Sequence, residues 1–192
     1  MSRKEILDAA AKIFGENGYH ATSMQDIAKA VQLKKGSLYH HVSSKQEILF
    51  TLLEQALDLL IERIAEVAAQ DLPPAEKLKL AVSAYLEILT ENRPLSAVLL
   101  LEQRSLEPKF QAIHNPHRDQ FENIWRGIIQ EGIDAGQFNS TDPAQVTRTL
   151  LGSLNWTITW YNPAGPLTSA EIAEQSANIL LNGLLICENG QN

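Results

Sequence analysis

Apolar residues recur at three- and four-residue spacing along almost the whole chain, and the two-residue alternation of strands is absent. That periodicity marks amphipathic helices, each of which must bury one stripe against another element. Proline and glycine fall mostly between the periodic stretches, where they punctuate helices. The expectation is an all-α fold of nine helices. They run from about Arg3 to Asn17, Met24 to Val31, Lys35 to His41, Lys45 to Ala69, Ala75 to Glu91 and Leu95 to Arg104. A seventh ends near Ala135, an eighth runs from Pro143 to Tyr161, and a ninth ends near Cys187. Pro116 either kinks the seventh or begins it with Asn115 as cap. Ser2 with Glu5 and Ser44 with Glu47 have capping-box spacing, and Ser23 with Asp26 and Thr168 with Glu171 cap their helices similarly. Gly18 is expected to stop the first helix in the left-handed αL conformation.

The 192 residues suffice for one small and one medium domain sharing a long helix. The expected division is a head of residues 1–48 and a body of residues 49–192. No run of 18 or more apolar residues occurs, so no membrane span is expected. The N-terminus lacks the basic-then-apolar pattern of a signal peptide, which predicts a cytoplasmic chain. Cys187 is the only cysteine, which excludes a disulfide framework.

The formal net charge of -7 argues against a general nucleic-acid binder. Its distribution says more. Residues 1–48 hold seven Lys/Arg, five Asp/Glu and three His, while the rest hold nine Lys/Arg against eighteen Asp/Glu. A mildly basic head on an acidic body suits a protein that presents only its head to phosphates.

The stretch Thr22 to Glu47 gives that head a shape. A short amphipathic helix is followed by a turn, then by a helix too short and polar to be core. This is helix-turn-helix spacing, in which the second helix enters the DNA major groove. Ile27, Ala28, Val31 and Leu38 would form the small core where the two helices cross. Lys34, Lys35 and Ser37 stand where side chains reach base edges. Gly36 would let the backbone come close to DNA, and Tyr39, His40 and His41 can bond phosphates. The helix N-termini at Ser23 and Lys45 offer backbone N–H groups to phosphates.

The order Gly18-Tyr19, Thr22-Ser23, Asp26-Ile-Ala, Lys35-Gly-Ser-Leu-Tyr-His-His, then Ser44-Lys-Gln-Glu-Ile-Leu resembles the N-terminal domain of TetR-family transcriptional regulators. The match covers about residues 3–50 without a gap. The resemblance implies a homodimer that represses by binding a palindromic DNA operator, and a ligand pocket among the C-terminal helices.

In the body, Val146 to Tyr161 is apolar on more than one face, so it should pack on the body with one side and elsewhere with the other. Ala173, Ala177 and Gly183 would admit a close helix. A second copy is the expected partner, through Trp160, Ile172, Ala173, Ala177, Leu180, Gly183 and Leu184. Arg104, Arg118, Arg148 and Asn155 are polar positions on otherwise apolar helices. With Trp125, Trp156 and Trp160 they are the candidate ligand-binding residues. Arg148 near tryptophans suits a ligand with an anionic head and an apolar tail. A surface ion pair of Arg148 with Asp142 or a carboxylate of the seventh helix explains it equally well. The segment Asn155-Trp-Thr-Ile-Thr-Trp-Tyr-Asn-Pro-Ala-Gly-Pro-Leu-Thr resembles TetR-family regulators of lipid catabolism. That resemblance implies an acyl-CoA thioester or another lipid-derived anion as small-molecule effector, with Arg148 toward the CoA part.

Two other readings compete. The body could only dimerise or bind a protein partner. Alternatively, His114, His117 and Glu122 could serve a small metal-dependent enzyme, but HxxH lacks the HExxH zinc spacing and Pro116 lies between the histidines. The expectation is therefore no catalytic residue, no metal and no cofactor.

Overall fold

The computed structural model describes residues 2–139 and 141–184. Cys187 and the expected end of the last helix lie outside them. The helices are α1 (Arg3–Asn17), α2 (Met24–Ala30), α3 (Lys35–Leu38), α4 (Lys45–Ala68), α5 (Pro74–Glu91), α6 (Arg93–Glu102), α7 (Pro108–Asp134), α8 (Pro143–Asn155), α9 (Thr157–Trp160) and α10 (Ser169–Leu184). A 3-10 turn, Gln103–Ser105, joins α6 to α7. Taking α8 and α9 as one helix broken at Trp156 gives nine among the described residues. None of them is long and apolar enough to cross a membrane.

The chain divides into two compact units. Met1–Leu59 and Asn92–Arg118 form the first, Leu60–Glu91 and Asp119–Asn192 the second. In the first unit, Ser2 and Glu5 close a capping box, and Ser23 and Asp26 close another. Helix α1 packs on α2 and α6, and Ile6, Phe14, Ile27, Leu38, Ile48 and Leu49 are essentially fully buried. Each such side chain contributes about 1.5–3 kcal/mol by leaving water.

Three local expectations differ from what is observed here, and the open start of the seventh helix is settled. Gly18 has φ 82 and ψ 152, a positive φ outside the αL well. Its N–H still bonds Phe14 O at 2.9 Å, while the wide ψ turns the Tyr19 N–H toward Glu102. Helix α3 ends at Leu38 instead of reaching His41. The His40 and His41 amides bond Ser37 O and Leu38 O, three residues back, which tightens the chain into a turn as Val42 enters the core. The Ser44 box is shared: its hydroxyl accepts from the Glu47 N–H, but the Glu47 carboxylate takes the Ser43 amide. Helix α7 begins at Pro108 and runs through Pro116. Pro116 and Ala112 are both exposed, so water can satisfy the Ala112 carbonyl that the missing N–H leaves open.

In the second unit α10 packs along α5. Lys77, only 7% exposed, places its ammonium on both Glu131 oxygens at 2.8 and 2.9 Å. After α7, Gly136 adopts φ 67 and the Gln137 and Phe138 amides both bond Gly132 O. The Phe138 ring thereby folds over Gly132, where a Cβ would lie 2.1 Å from ring carbon Cδ2. Gly132→Ala is therefore expected to cost about 2–3 kcal/mol through overpacking. Thermal denaturation should show a Tm lower by about 5 °C or more.

Candidate nucleic-acid interface and effector site

The expected core of the head is buried: Ile27 0%, Ala28 2%, Val31 6% and Leu38 0% exposed. The face turned away from it carries Lys34, Lys35, Gly36 and His40, all exposed, with Tyr39 at 46%. Ser37 and His41 are partly covered. A short helix and the residues flanking it thus present two ammonium groups, a phenol and an imidazole to solvent.

The two flanking N-termini differ from simple amide cradles. At α2 the Ser23 amide and hydroxyl are both engaged by the Asp26 carboxylate. Those bonds hold the Asp26 carboxyl below the usual range. The Asp26 and Ile27 amides bond Ser23, so Met24 and Gln25 are the first-turn amides before the intrahelical ladder starts. At α4 the Lys45 ammonium turns inward. It donates to Tyr19 O at 2.9 Å and Thr22 O at 2.7 Å and sits 4.1 Å above the Tyr19 ring. Burial pushes it below the usual lysine range, with Glu102 pulling the other way. What Lys45 retains for an anion is its backbone N–H.

One polar cluster ties the head to the α6–α7 link within the first unit. Gln46 Nε2 donates to Tyr19 Oη at 2.9 Å and to Ser105 O at 2.7 Å, while its Oε1 accepts from the Glu107 N–H at 2.9 Å. The Tyr19 N–H donates to Glu102 at 3.0 Å, and His20 Nε2 lies 3.0 Å from Ser105 Oγ. Sequence reasoning missed this cluster because its partners are 27 to 85 residues apart and leave no local pattern.

The interior of the second unit holds an aromatic group: Tyr85, Phe121 and Trp125, with Tyr85 5.8 Å from each of the other two ring centroids. The Tyr85 hydroxyl donates to Asn155 Oδ1, and burial holds the phenol far above its ordinary range. Trp125 is 0% exposed and its Nε1–H finds no acceptor among the described residues; Thr147 Oγ1, also 0% exposed, is likewise unpartnered. A polar tip within the buried stripe of α5 was the available signal for Tyr85, and the sequence reading passed over it.

The seven ligand candidates are distributed between the units. Arg104, exposed in the 3-10 turn, and Arg118, partly buried on α7, belong to the first. In the second, Trp125 and Asn155 share the Tyr85 group, whereas Arg148 is exposed and Trp156 and Trp160 are 66% and 52% exposed. The buried face of α8 is Thr147, Leu150, Leu151 and Leu154, so the structure does not bring Arg148, Trp156 and Trp160 to Trp125. Of the pairing candidates, Ile172, Ala173 and Ala177 are buried within the protomer at 6%, 2% and 3% exposure, on a helix that packs against α5. The close approach their size permits is made inside the chain. Leu180, Gly183 and Leu184 line an open, largely apolar groove of about 250 Å³ with Gln145, Val146 and Thr149. His114 and His117 both face Glu54, at 2.7 and 3.0 Å, while Glu122 pairs with Arg126. Among the described residues no group of three His, Cys, Asp or Glu could hold a metal ion.

A short exposed helix behind a capped, core-forming partner defines a helix-turn-helix DNA-binding protein. The match to family models agrees: residues 6–52 match bacterial regulatory proteins of the tetR family, and residues 71–184 match the tetracyclin repressor-like C-terminal domain. The chain belongs to the TetR family of transcriptional regulators, and these are regulators, not enzymes. It is 30% identical over 185 residues to the HTH-type transcriptional repressor KstR2 of Mycobacterium tuberculosis, covering 95% of this chain and 92% of that protein. Among solved structures, PfmR of Thermus thermophilus superposes with a TM-score of 0.86 at 36% identity, covering 93% of this chain and 97% of that one. AibR, solved in complex with isovaleryl coenzyme A and operator DNA, superposes with a TM-score of 0.87 at 26% identity, over 93% and 97% of the two chains.

Proposed function

We propose that the protein is a cytoplasmic repressor that binds a palindromic operator as a homodimer and responds to an acyl-CoA thioester or a related lipid-derived anion. Residues 1–48 bind DNA, and residues 49–192 bind the effector and dimerise. The observation that carries the DNA-binding role is the exposed band Lys34, Lys35, Gly36, Tyr39 and His40 over a buried core. Lys34, Lys35 and Ser37 are the candidates for base edges, and Tyr39, His40 and His41 for phosphates. The amides at the starts of α2 and α4 add phosphate contacts. In the paired state the two recognition helices stand about 34–36 Å apart, one turn of DNA.

Helix α4 carries the chain directly from the recognition helix into the second unit. An effector that favours one tilt of α4 changes the spacing of the two heads and releases the operator. Moving that equilibrium from 1:99 to 99:1 needs about 10⁴-fold preference for one state. The complex of AibR with isovaleryl coenzyme A and operator DNA and the buried aromatic group of the second unit support the effector class.

The test is fluorescence anisotropy with a duplex from the promoter next to the gene. Affinity is expected to fall by about 10³-fold or more between 50 and 200 mM salt, and dodecanoyl-CoA is expected to release the duplex. Affinity equal to that for a random duplex, with no salt dependence, contradicts the reading. Gly36 supplies a sharper check. Nothing lies within 4 Å of a Cβ built there, and alanine favours a helix by up to about 1 kcal/mol. Gly36→Ala should therefore leave Tm unchanged or slightly raised while weakening operator binding about tenfold, since each lost base-edge contact is worth about 1–3 kcal/mol.

A further inference from the structure

Two buried polar groups of the second unit have no partner among the described residues. Trp125 is 0% exposed and its Nε1–H meets no acceptor among the described residues; Thr147 is 0% exposed and its Oγ1 is equally alone. The threonine is unusual within its own chain. Thr90 and Thr149 both return their hydroxyls to the carbonyl four residues back, the ordinary use of a helical threonine. Thr147 sits on the same helix as Thr149 and does not. It faces inward beside Leu150, Leu151 and Leu154. Farther along that face Asn155 receives the Tyr85 hydroxyl, and Tyr85 stands edge-on to Trp125.

Native interiors rarely leave such groups unmatched, because burying one without a partner forfeits its bonds to water. An indole nitrogen can only donate. An effector that satisfies Trp125 must therefore offer an acceptor, on a body apolar enough to lie among Tyr85, Phe121 and the leucines of α8. A charged head does not meet that condition, and a saturated hydrocarbon offers no acceptor. A carbonyl oxygen on an apolar body meets both conditions.

We infer that the buried part of the effector carries a carbonyl oxygen that accepts a hydrogen bond from Trp125 Nε1, with the Thr147 hydroxyl as a second polar anchor on α8. The inference rests on the acyl-CoA reading above and deepens it. An effector that matches these two groups binds better in the state that admits it. This supplies the differential affinity that a population shift requires. The carbonyl has two possible sources, the thioester itself or a ketone farther along the acyl body.

Isothermal titration of the full-length protein separates them. The probes are dodecanoyl-CoA, the thioether S-dodecyl-CoA, which lacks the thioester carbonyl, and an oxododecanoyl-CoA with a ketone in its distal half. They are titrated into the wild type and into Trp125→Phe, which keeps a ring and removes the donor. If the thioester supplies the acceptor, the wild type prefers dodecanoyl-CoA to the thioether by about 5- to 100-fold. If a distal ketone supplies it, the wild type prefers the oxo compound to dodecanoyl-CoA by a similar factor. In either case the preference shrinks to within about twofold in the variant, because a double-mutant cycle isolates the contact. Thr147→Val, close in shape and lacking the hydroxyl, provides the same comparison if Trp125→Phe does not fold. Tight binding of all three CoA compounds with no preference in the wild type, or a preference that survives both variants, overturns the inference and leaves the acyl-CoA reading standing. Absence of binding by every CoA compound overturns both.

Discussion

Replacing Ile179 with glutamate is expected to leave a folded protomer that no longer pairs and that binds its operator at least 100-fold more weakly. Ile179 lies on α10 with 73% of its surface exposed, the most exposed large apolar residue described, and it borders the groove formed with Val146, Thr149, Leu180 and Gly183. Trp156 and Trp160, at 66% and 52%, are also exposed. Scattered apolar residues on a surface need no explanation, but an apolar groove with so exposed a side chain in its lining suits an interaction surface. In the proposed two-fold pairing, one substitution buries two carboxylates without partners. Each costs about 3–5 kcal/mol, so the dimer dissociation constant should rise more than about 10³-fold. Ile179 makes few contacts inside the protomer, so circular dichroism should change little. Sedimentation equilibrium measures the pairing. A dimer of unchanged stability would place the interface elsewhere.

The recognition surface gives the second large effect. Tyr39→Ala and Lys35→Ala are each expected to weaken operator binding about tenfold or more while leaving the dimer and Tm unchanged. Both side chains are exposed, so neither substitution opens a cavity. The two variants should differ in character. If Lys35 reaches a base edge, its loss costs about 1–3 kcal/mol and relaxes sequence preference at one position. If Tyr39 bonds phosphate, its loss should weaken binding to all sequences alike. Anisotropy titrations on the operator and on single-base variants distinguish the two. Full affinity in both variants would remove α3 from the interface.

The head was legible because its signals are local. Ser2 with Glu5 and Ser23 with Asp26 are three residues apart, and both boxes form. The buried set Ile27, Ala28, Val31 and Leu38 follows from helical spacing within twelve residues. Where a distant neighbour decides, local reading lost detail. Helix α3 ends early as the turn carries Val42 into the core, and α7 tolerates Pro116 because that turn faces solvent. Helix α8 breaks at Trp156, before the buried pair Thr157 and Ile158. The body was harder still. An apolar helix with two faces declares that both are covered, but not which one turns inward. Ala173 and Ala177 therefore read as available to a second copy, whereas they lie buried on a helix packed against α5. The Tyr85–Asn155 bond and the bonds of the Gln46 side chain join residues 70 and 27 to 61 positions apart, and no periodicity announces such pairs.

The most direct test of the central claim is the stoichiometry of the complex. Sedimentation velocity with a labelled duplex from the adjoining promoter should show a whole number of chain pairs per duplex and no species with a single chain at operator saturation. Adding dodecanoyl-CoA should free the duplex while the protein sediments as a dimer. One chain per duplex, or a protein–DNA complex that is indifferent to every CoA thioester, would contradict a paired head governed by a lipid-derived effector.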